Sequence, residues 1–226
     1  MSLPPVRSWA DAPAREYAGG KLSDLLGELV WRTEGCTDLE RRKALERAAD
    51  VFLRRSKAWR EAVVLPPPVT WEPTPVFRFG PAPGPAGGGC CAWCRVSSER
   101  GVAVGLVSAG GPDRLFDSWR FLPGERPGLA WVGALPPMPP RPPEVYLTIA
   151  PGSDDLPEGI LSRWGAALAD GAYAELALKE NKPWSDRLGA LQASARFHAA
   201  IAEARAEVEP TDALGQPTVR NPVPFI

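Results

Sequence analysis

The chain of 226 residues has a single histidine, three tyrosines and no excess of either charge. Its 26 basic and 27 acidic residues leave a net charge of -1, which excludes a histone-like binder that gains affinity by neutralising many phosphates. No apolar run approaches the roughly 18 residues that span a bilayer. The N-terminus lacks the basic-then-apolar order of a signal peptide. These absences predict a soluble protein that is not secreted by the usual route and occupies a reducing compartment.

Proline, glycine and tryptophan are abundant instead. The chain has 27 Pro, 22 Gly and 9 Trp, yet 44% of its residues are hydrophobic. Since disordered chains have too little apolar content to bury a core, this mixture indicates ordered modules joined by irregular, proline-stiffened segments. A chain of this length buries a core without disulfides or metals.

Residues 21–65 show the first stretch of helical periodicity. Thr37 and Glu40 form a capping box, and apolar residues recur at helical spacing from Leu45 to Trp59. This pattern predicts an amphipathic helix of about six turns, preceded by a shorter helix over Leu22–Trp31.

Residues 152–208 return to helical periodicity. Asp154-Asp155 before Pro157 is interpreted as an acidic N-cap followed by a first-turn proline. The run from Asn181 to Trp184 ends that helix, and Ser185-Asp186 begins another.

Between these stretches, residues 66–151 change to short runs separated by Gly- and Pro-rich turns. The predicted strands are Val76–Phe79, Cys91–Val96, Val102–Val107, Trp119–Leu122, Leu129–Val132 and Val145–Ile149. Residues 1–20 are expected to form an N-terminal arm and residues 209–226 an extended C-terminal tail. The sequence therefore predicts an α+β fold, in which a bundle of about four helices carries a β-rich insert.

The cysteines and the one histidine are the candidate metal ligands. Cys91 and Cys94 form a C-x-x-C beside Cys90, but a structural zinc site needs a second ligand pair at defined spacing. Small buried side chains on a strand are the favoured interpretation, and a metal-dependent enzyme using these cysteines and His198 is an alternative. His198, between Phe197 and Ile201, is predicted to be a partly buried structural residue.

Other segments give little indication of chemistry. Gly80–Gly89 lacks the Gly-Lys-Ser/Thr of a P-loop and is not followed by a helical pattern, so a β loop is predicted. Asp154, Asp155 and Glu158 suit helix capping better than acid–base catalysis. We therefore predict no catalytic residue, no metal, no cofactor and no enzymatic activity.

Positive charge is concentrated between residues 41 and 60. A solvated helix face, pairing with acidic groups of a partner or neighbouring subunit, and phosphate contact are the possible roles. Because residues 154–209 carry an acidic excess, head-to-tail self-association between unlike faces is physically sensible. The basic residues are Arg41, Arg42, Lys43, Arg47, Arg54, Arg55, Lys57 and Arg60.

Two blocks of the sequence resemble the head-to-tail connector (adaptor) proteins of tailed bacteriophages. The first block, from Cys36 to Arg60, resembles their opening helix, which often combines an acidic residue, Ala-Ala, a Phe and a Trp-Arg pair. The second resembles their C-terminal helices, where a Gly-Ala pair is followed by a Lys-Pro-Trp turn and a final helix ending near Ala-Arg. It comprises Leu156–Glu158, Trp164, Ala169–Ala172, Asn181–Asp186, Phe197 and Ile201–Arg205.

The resemblance implies a structural virion protein that is not an enzyme. In such proteins the helices form a bundle, and copies assemble as a ring, usually of twelve, beneath the portal. The ring extends the DNA channel and offers a platform for tail attachment. The implied partners are the portal protein, neighbouring copies, a tail or nozzle/stopper protein, and double-stranded DNA that passes without sequence-specific contact, with no membrane. The implied location is the virion neck, after assembly in the host cytoplasm.

The resemblance also suggests roles for individual residues. A portal-docking strand in the C-terminal tail is one hypothesis, since pre-stiffened segments lose less entropy on binding. Its contacts would be Val219, Val223, Phe225 and Ile226. Subunit-interface or packing roles are expected for Arg54, Arg55, Trp59, Trp164, Gly171, Pro183 and Trp184. A glycine within a helix costs about 1 kcal/mol, which close helix approach at Gly171 would explain, and the Trp184 indole is expected to lock the last two helices together.

An aromatic-rich ligand- or carbohydrate-binding module is the alternative function. Its basis is four tryptophans of the insert, since exposed indoles stack on sugars and peptides. They are Trp71, Trp93, Trp119 and Trp131. Core and interface packing is the simpler interpretation of these residues. Under the adaptor hypothesis, Trp119 and Trp131 are expected to contact tail proteins.

Overall fold

The structure, a computed structural model, describes residues 19–65, 76–80, 91–96, 101–107, 119–131 and 143–213. These residues form the predicted α+β fold, with four α-helices and a large mixed sheet. The helices are α1 (Leu26–Val30), α2 (Asp38–Ser56), α3 (Glu158–Ala177) and α4 (Arg187–Ala213), with a 3-10 turn at Leu22–Leu25. The strands are β1 (Gly19–Lys21), β2 (Arg60–Val64), β3 (Val76–Phe79), β4 (Cys91–Val96), β5 (Gly101–Leu106), β6 (Trp119–Leu122), β7 (Gly128–Trp131), β8 (Glu144–Ile149) and β9 (Asp155–Pro157).

Helix α2 begins at the predicted capping box. The Thr37 hydroxyl oxygen accepts a hydrogen bond from the Glu40 N–H at 3.3 Å, and the Glu40 carboxylate accepts one from the Thr37 N–H at 3.4 Å. The helix ends at Ser56, because Lys57 takes the left-handed conformation with φ of 55° and its N–H donates to the Leu53 carbonyl. The predicted six-turn helix therefore extends too far toward its C-terminus.

Residues Arg60–Val64 form strand β2 rather than helix. This short segment alternates between buried and exposed positions, and it pairs antiparallel with β8 on one side and β4 on the other. Cross-strand pairing on both sides outweighs the helical tendency of the preceding residues. The prediction of helix up to residue 65 is therefore wrong at this end.

The predicted acidic cap of α3 is also wrong. Asp155–Pro157 pairs antiparallel with β1, and α3 starts directly after it without a side-chain cap. The Asp154 carboxylate instead accepts hydrogen bonds from the Ser23 N–H at 2.8 Å and the Ser23 hydroxyl at 2.5 Å. The Asp154 carboxylate thus accepts hydrogen bonds at the start of the 3-10 turn, where N–H groups have no partner within the turn. This turn is close to Asp154 in space but distant in sequence.

The larger sheet has seven strands in the order β5-β8-β2-β4-β3-β7-β6. Neighbours are antiparallel except β3 and β4, which are parallel. All six predicted strands have counterparts in the structure, whereas β2 was not predicted. Since β2 lies inside this sheet and continues from α2, the sheet and the bundle share one hydrophobic core.

Helix α4 is longer than predicted. It continues to Ala213, so residues 209–213 are helical and not part of an extended tail. Residues 214–226, and with them the docking residues Val219, Val223, Phe225 and Ile226, lie outside the described part of the chain. None of the described helices combines the length and the apolar character needed to cross a membrane.

Candidate interaction surfaces on the helical bundle

The two blocks that resemble adaptor proteins pack against each other. The Phe52 ring of α2 lies 5.6 Å from the Trp164 ring of α3 and 6.3 Å from the Phe197 ring of α4, measured between centroids. All three side chains are buried. Residues 66–151 separate the blocks in sequence, yet the aromatic residues of both blocks build the centre of one bundle.

Helices α3 and α4 lie close together at Gly171. A Cβ atom at this position would lie 2.8 Å from two ring atoms of Phe197, closer than side chains pack. This is the close helix approach that the mid-helix glycine predicts. The missing side chain at Gly171 therefore lets the buried Phe197 ring pack directly against α3, and this contact explains why a glycine is present despite its helix-propensity cost.

Trp184 and Pro183 join two corners of the bundle. Both side chains lie against Gly35 in the turn between α1 and α2, where a Cβ would be 3.7 Å from the Trp184 ring. The indole therefore connects the α3–α4 corner to the α1–α2 corner, rather than acting only between the last two helices. Its buried N–H has no hydrogen-bond partner among the described residues.

The remaining predicted interface residues divide into buried and exposed groups. Trp59 and Trp164 are buried, and the Trp59 Nε1–H donates to Glu61 Oε1 at 3.1 Å, so both act in internal packing. Arg54 pairs with Asp50 one turn earlier at 2.8 Å, and Arg55 is exposed at the end of α2. Of these four residues, the two arginines are thus the ones placed to meet a partner surface.

Two arginines converge on the Asp170 carboxylate of helix α3. Arg196 donates to it through Nε at 2.7 Å and Nη2 at 2.9 Å, and Arg32 donates through Nη1 at 3.0 Å. Burial acts to raise the pKa of Asp170, but the hydrogen bonds from Arg196 and Arg32 outweigh it and hold that pKa below its usual range. The Arg32 guanidinium also lies 3.8 Å from the Tyr173 ring centroid.

Much of the positive charge of α2 is used within the chain. Arg41 is buried and donates to Thr33 and Asp38 at 2.7 to 2.9 Å, and Arg47 forms a two-point pair with Glu175 of α3. Lys179 pairs with Glu40 at 3.3 Å. Hydrogen bonds from the Thr37 N–H and from Lys179 lower the pKa of Glu40 to about 2. Arg42 and Lys43 are exposed. Because Arg41 and Arg47 are paired within the chain, fewer basic side chains of this helix are free for head-to-tail pairing than its charge count suggests.

The cysteines and the histidine are not brought into a shared site by the described residues. Cys94 is buried on β4, and burial raises the pKa of its thiol to about 12, which leaves it protonated and inert. Cys90 and the side chain of Cys91 lie outside the description. Across the described ranges, no three His, Cys, Asp or Glu side chains are grouped to hold a metal ion.

His198 is exposed, so the prediction of a partly buried histidine is wrong. Phe197 points into the bundle, and the next residue of a helix lies about 100° further round its axis. The imidazole therefore faces solvent, with its ring 5.7 Å from that of Phe197.

Two tryptophans of the insert are buried rather than available to a partner. Trp119 and Trp131 are 6% and 1% exposed, and their rings meet edge to face at 4.8 Å. They are direct partners in the β6–β7 register and point to the inner face of the sheet. The expectation that these indoles contact tail proteins or sugars is wrong. Trp93 is half-buried, with Arg126 above its ring, and Trp71 lies outside the described residues.

The outward face of α4 was not predicted from the sequence. Helix α4 buries one apolar face and exposes a second, which is lined by Leu188, Leu191, Ala195, Ala199, Ala202 and Ala206. We call this set the outer stripe. Its spacing of three and four residues was readable from the sequence. Among the described residues of the bundle, four other large apolar side chains are exposed, namely Val30, Trp31, Leu39 and Leu178.

No protein-family model matches the chain, and no curated protein matches its sequence.

Proposed function

We propose that the protein is a head-to-tail adaptor of a tailed bacteriophage, a structural subunit that forms a ring beneath the portal in the virion neck. The observation that carries this proposal is the packing of the two adaptor-like blocks into one bundle. Phe52, Trp164, Gly171 and Phe197 belong to the blocks that carry the resemblance, and they also make the bundle's central contacts.

The helices of the bundle are connected to one another in two ways. Its helices are joined both by an aromatic core and by ion pairs that link α2 to α3, the turn after α1 to α3, and α3 to α4. Such a double connection favours a rigid subunit. In the proposed ring the bundle contacts neighbouring copies, the portal lies on one side, a tail or nozzle/stopper protein lies on the other, and DNA passes through the channel without sequence-specific contact.

Exposed aromatic and leucine side chains give the bundle surfaces of the kind that partners bury. Trp31 is 76% exposed, and Leu39 and Leu178 are also exposed. Tryptophan is among the residues that contribute most when a protein interface forms. These side chains support a protein that works in an assembly, and no catalytic role enters the proposal.

The ligand-binding alternative is less well supported, because it depended on exposed indoles in the insert. Two of its four tryptophans, Trp119 and Trp131, are buried against each other. No observation favours this alternative over the adaptor, and we do not retain it as a second candidate.

Portal binding by a tail-truncated chain tests the docking part of the proposal. A chain ending at Ala213 should lose binding to the portal encoded nearby in the same genome, while its helical circular dichroism shows that the bundle still folds. A full-length variant with Gln216→Ala and Thr218→Ala is the control and should bind normally. Unimpaired binding by the truncated chain would remove the tail from the portal contact.

A further inference from the structure

The outer stripe is unusual for the solvent side of a surface helix. Leu188 and Leu191 are 69% and 58% exposed, and the four alanines that continue the stripe are exposed as well. The opposite face of α4 is buried through Ala190, Ala193, Phe197, Ile201 and Ala204. A helix that packs on one side only is ordinarily polar on the other, so the stripe indicates a second packing partner.

The size of the outer stripe restricts what this partner is. From Leu188 to Ala206 the stripe is about 27 Å long and one helix wide, a footprint of roughly 270 Å². A stable contact between two globular surfaces buries about 800 Å² on each partner. The footprint suits a single extended segment. A segment tethered to the same chain needs little area to bind, since its effective concentration is in the millimolar range.

We propose that residues 214–226 of the same chain fold back along α4 and cover the outer stripe. The segment continues directly from Ala213, the last residue of α4. Its 13 residues span about 40 Å when extended, and the distance from Ala213 back to Leu188 along the helix is about 37 Å. Gly215 permits the reversal of direction, and the 11 residues after it span about 34 Å, which reaches the first turn of α4 beside Leu188 and Leu191.

The composition of the segment matches the stripe position by position. Counted back from Gly215 at the level of Ala213, Val219 falls near Ala206, Val223 near Ala195, and Phe225 with Ile226 near Leu191. Arg220 is the only charged side chain of the segment, and it falls beside Glu203, which is exposed at the edge of the stripe. Three prolines reduce the entropy that the segment loses on docking.

This arrangement does not depend on the adaptor function. If the adaptor proposal holds, the tail has two alternative positions. It packs on α4 in the free protein and docks on the portal in the virion. The apolar tip would then be hidden until the portal competes for it.

Photo-cross-linking of the full chain tests the inference. With Phe225 replaced by benzoylphenylalanine, irradiation of the free protein should cross-link this position to residues 188–192 within a single chain, as mapped by peptide mass spectrometry. Leu188→Asp should abolish this product. The variant should fold normally, because Leu188 is exposed and an acidic residue suits the first turn of a helix. Leu178→Asp is the control, an exposed leucine off the stripe whose replacement should leave the yield unchanged.

Charge reversal tests the register independently. Glu203→Arg or Arg220→Glu alone should lower the cross-link yield about two- to fivefold, and the double variant should restore it. A mixture of heavy- and light-isotope chains separates the possible occupants. Products that join heavy to light chains would assign the stripe to a second copy and overturn the inference. A product elsewhere in the chain, no product, or a yield insensitive to Leu188→Asp would also overturn it.

Discussion

The bundle and the sheet bury their aromatic side chains by different means. In the bundle, the rings of Phe52, Trp164 and Phe197 pack together, and ion pairs such as Asp170–Arg196 join the helices around them. In the sheet, Trp119 and Trp131 pack at 4.8 Å, and neither indole N–H has a hydrogen-bond partner among the described residues. The stability of the bundle therefore depends on pH and on close packing, whereas this part of the sheet depends on packing alone.

Removal of the central indole of the sheet should have the largest effect. Trp131→Ala leaves a cavity in a core position that is 1% exposed, and we expect a loss of about 3–5 kcal/mol in the free energy of unfolding. Trp31→Ala, at a position 76% exposed, is the matched control and should cost less than about 1 kcal/mol. Denaturant unfolding followed by circular dichroism measures both. Equal losses would contradict the placement of the sheet core.

Loss of the Asp170 carboxylate should be the next largest effect and should be specific to the bundle. Asp170→Asn removes the charged acceptor of Arg196 and Arg32, and we expect a cost of about 2 kcal/mol at neutral pH. Glu180→Gln, at an exposed carboxylate, is the control and should be nearly neutral.

The difference in stability between wild type and Asp170→Asn should depend on pH. The pKa of Asp170 is lower in the folded protein than in the unfolded chain, so its contribution is present above the unfolded pKa and is lost as the pH falls through the folded pKa. Wild type should therefore lose more stability than Asp170→Asn below about pH 4. Parallel acid unfolding curves would argue against the role of the Asp170 pairs.

The close approach at Gly171 should give the smallest of these effects. Gly171→Ala improves helix propensity by about 1 kcal/mol, but its Cβ would press on the buried Phe197 ring, an overpacking cost of about 1–3 kcal/mol. We expect a net loss of about 1 kcal/mol. Gly159→Ala, in the same helix with no atom within 4 Å of its Cβ, should not destabilise the protein. Thermal melts that rank the two variants the other way would be inconsistent with the contact.

Features set by neighbouring residues were the ones predictable from the sequence. The capping box at Thr37 and the corner at Pro183 depend on a few adjacent residues, and both lie where predicted. The role of Asp154 and the strand at Arg60–Val64 depend on partners about 30 or more residues away in sequence. Local periodicity contains no information about such partners, so both predictions were wrong.

The candidate surfaces show the same division. The exposure of His198 and of the outer stripe follows from which residues of α4 face the core. The three- and four-residue spacing in residues 188–206 contains this information for both faces of the helix. The burial of Trp119 and Trp131 depends on the β6–β7 register and on which face of the sheet meets the core. Those facts emerge only when the strands are assembled.

Native mass spectrometry tests the adaptor proposal most directly. The chain is measured alone and then mixed with the portal protein encoded nearby in the same genome. We expect a mass increment on the portal equal to a ring of adaptor copies, which also gives their number. A chain that shows no shift on mixing, while the portal alone assembles normally, would contradict the proposal.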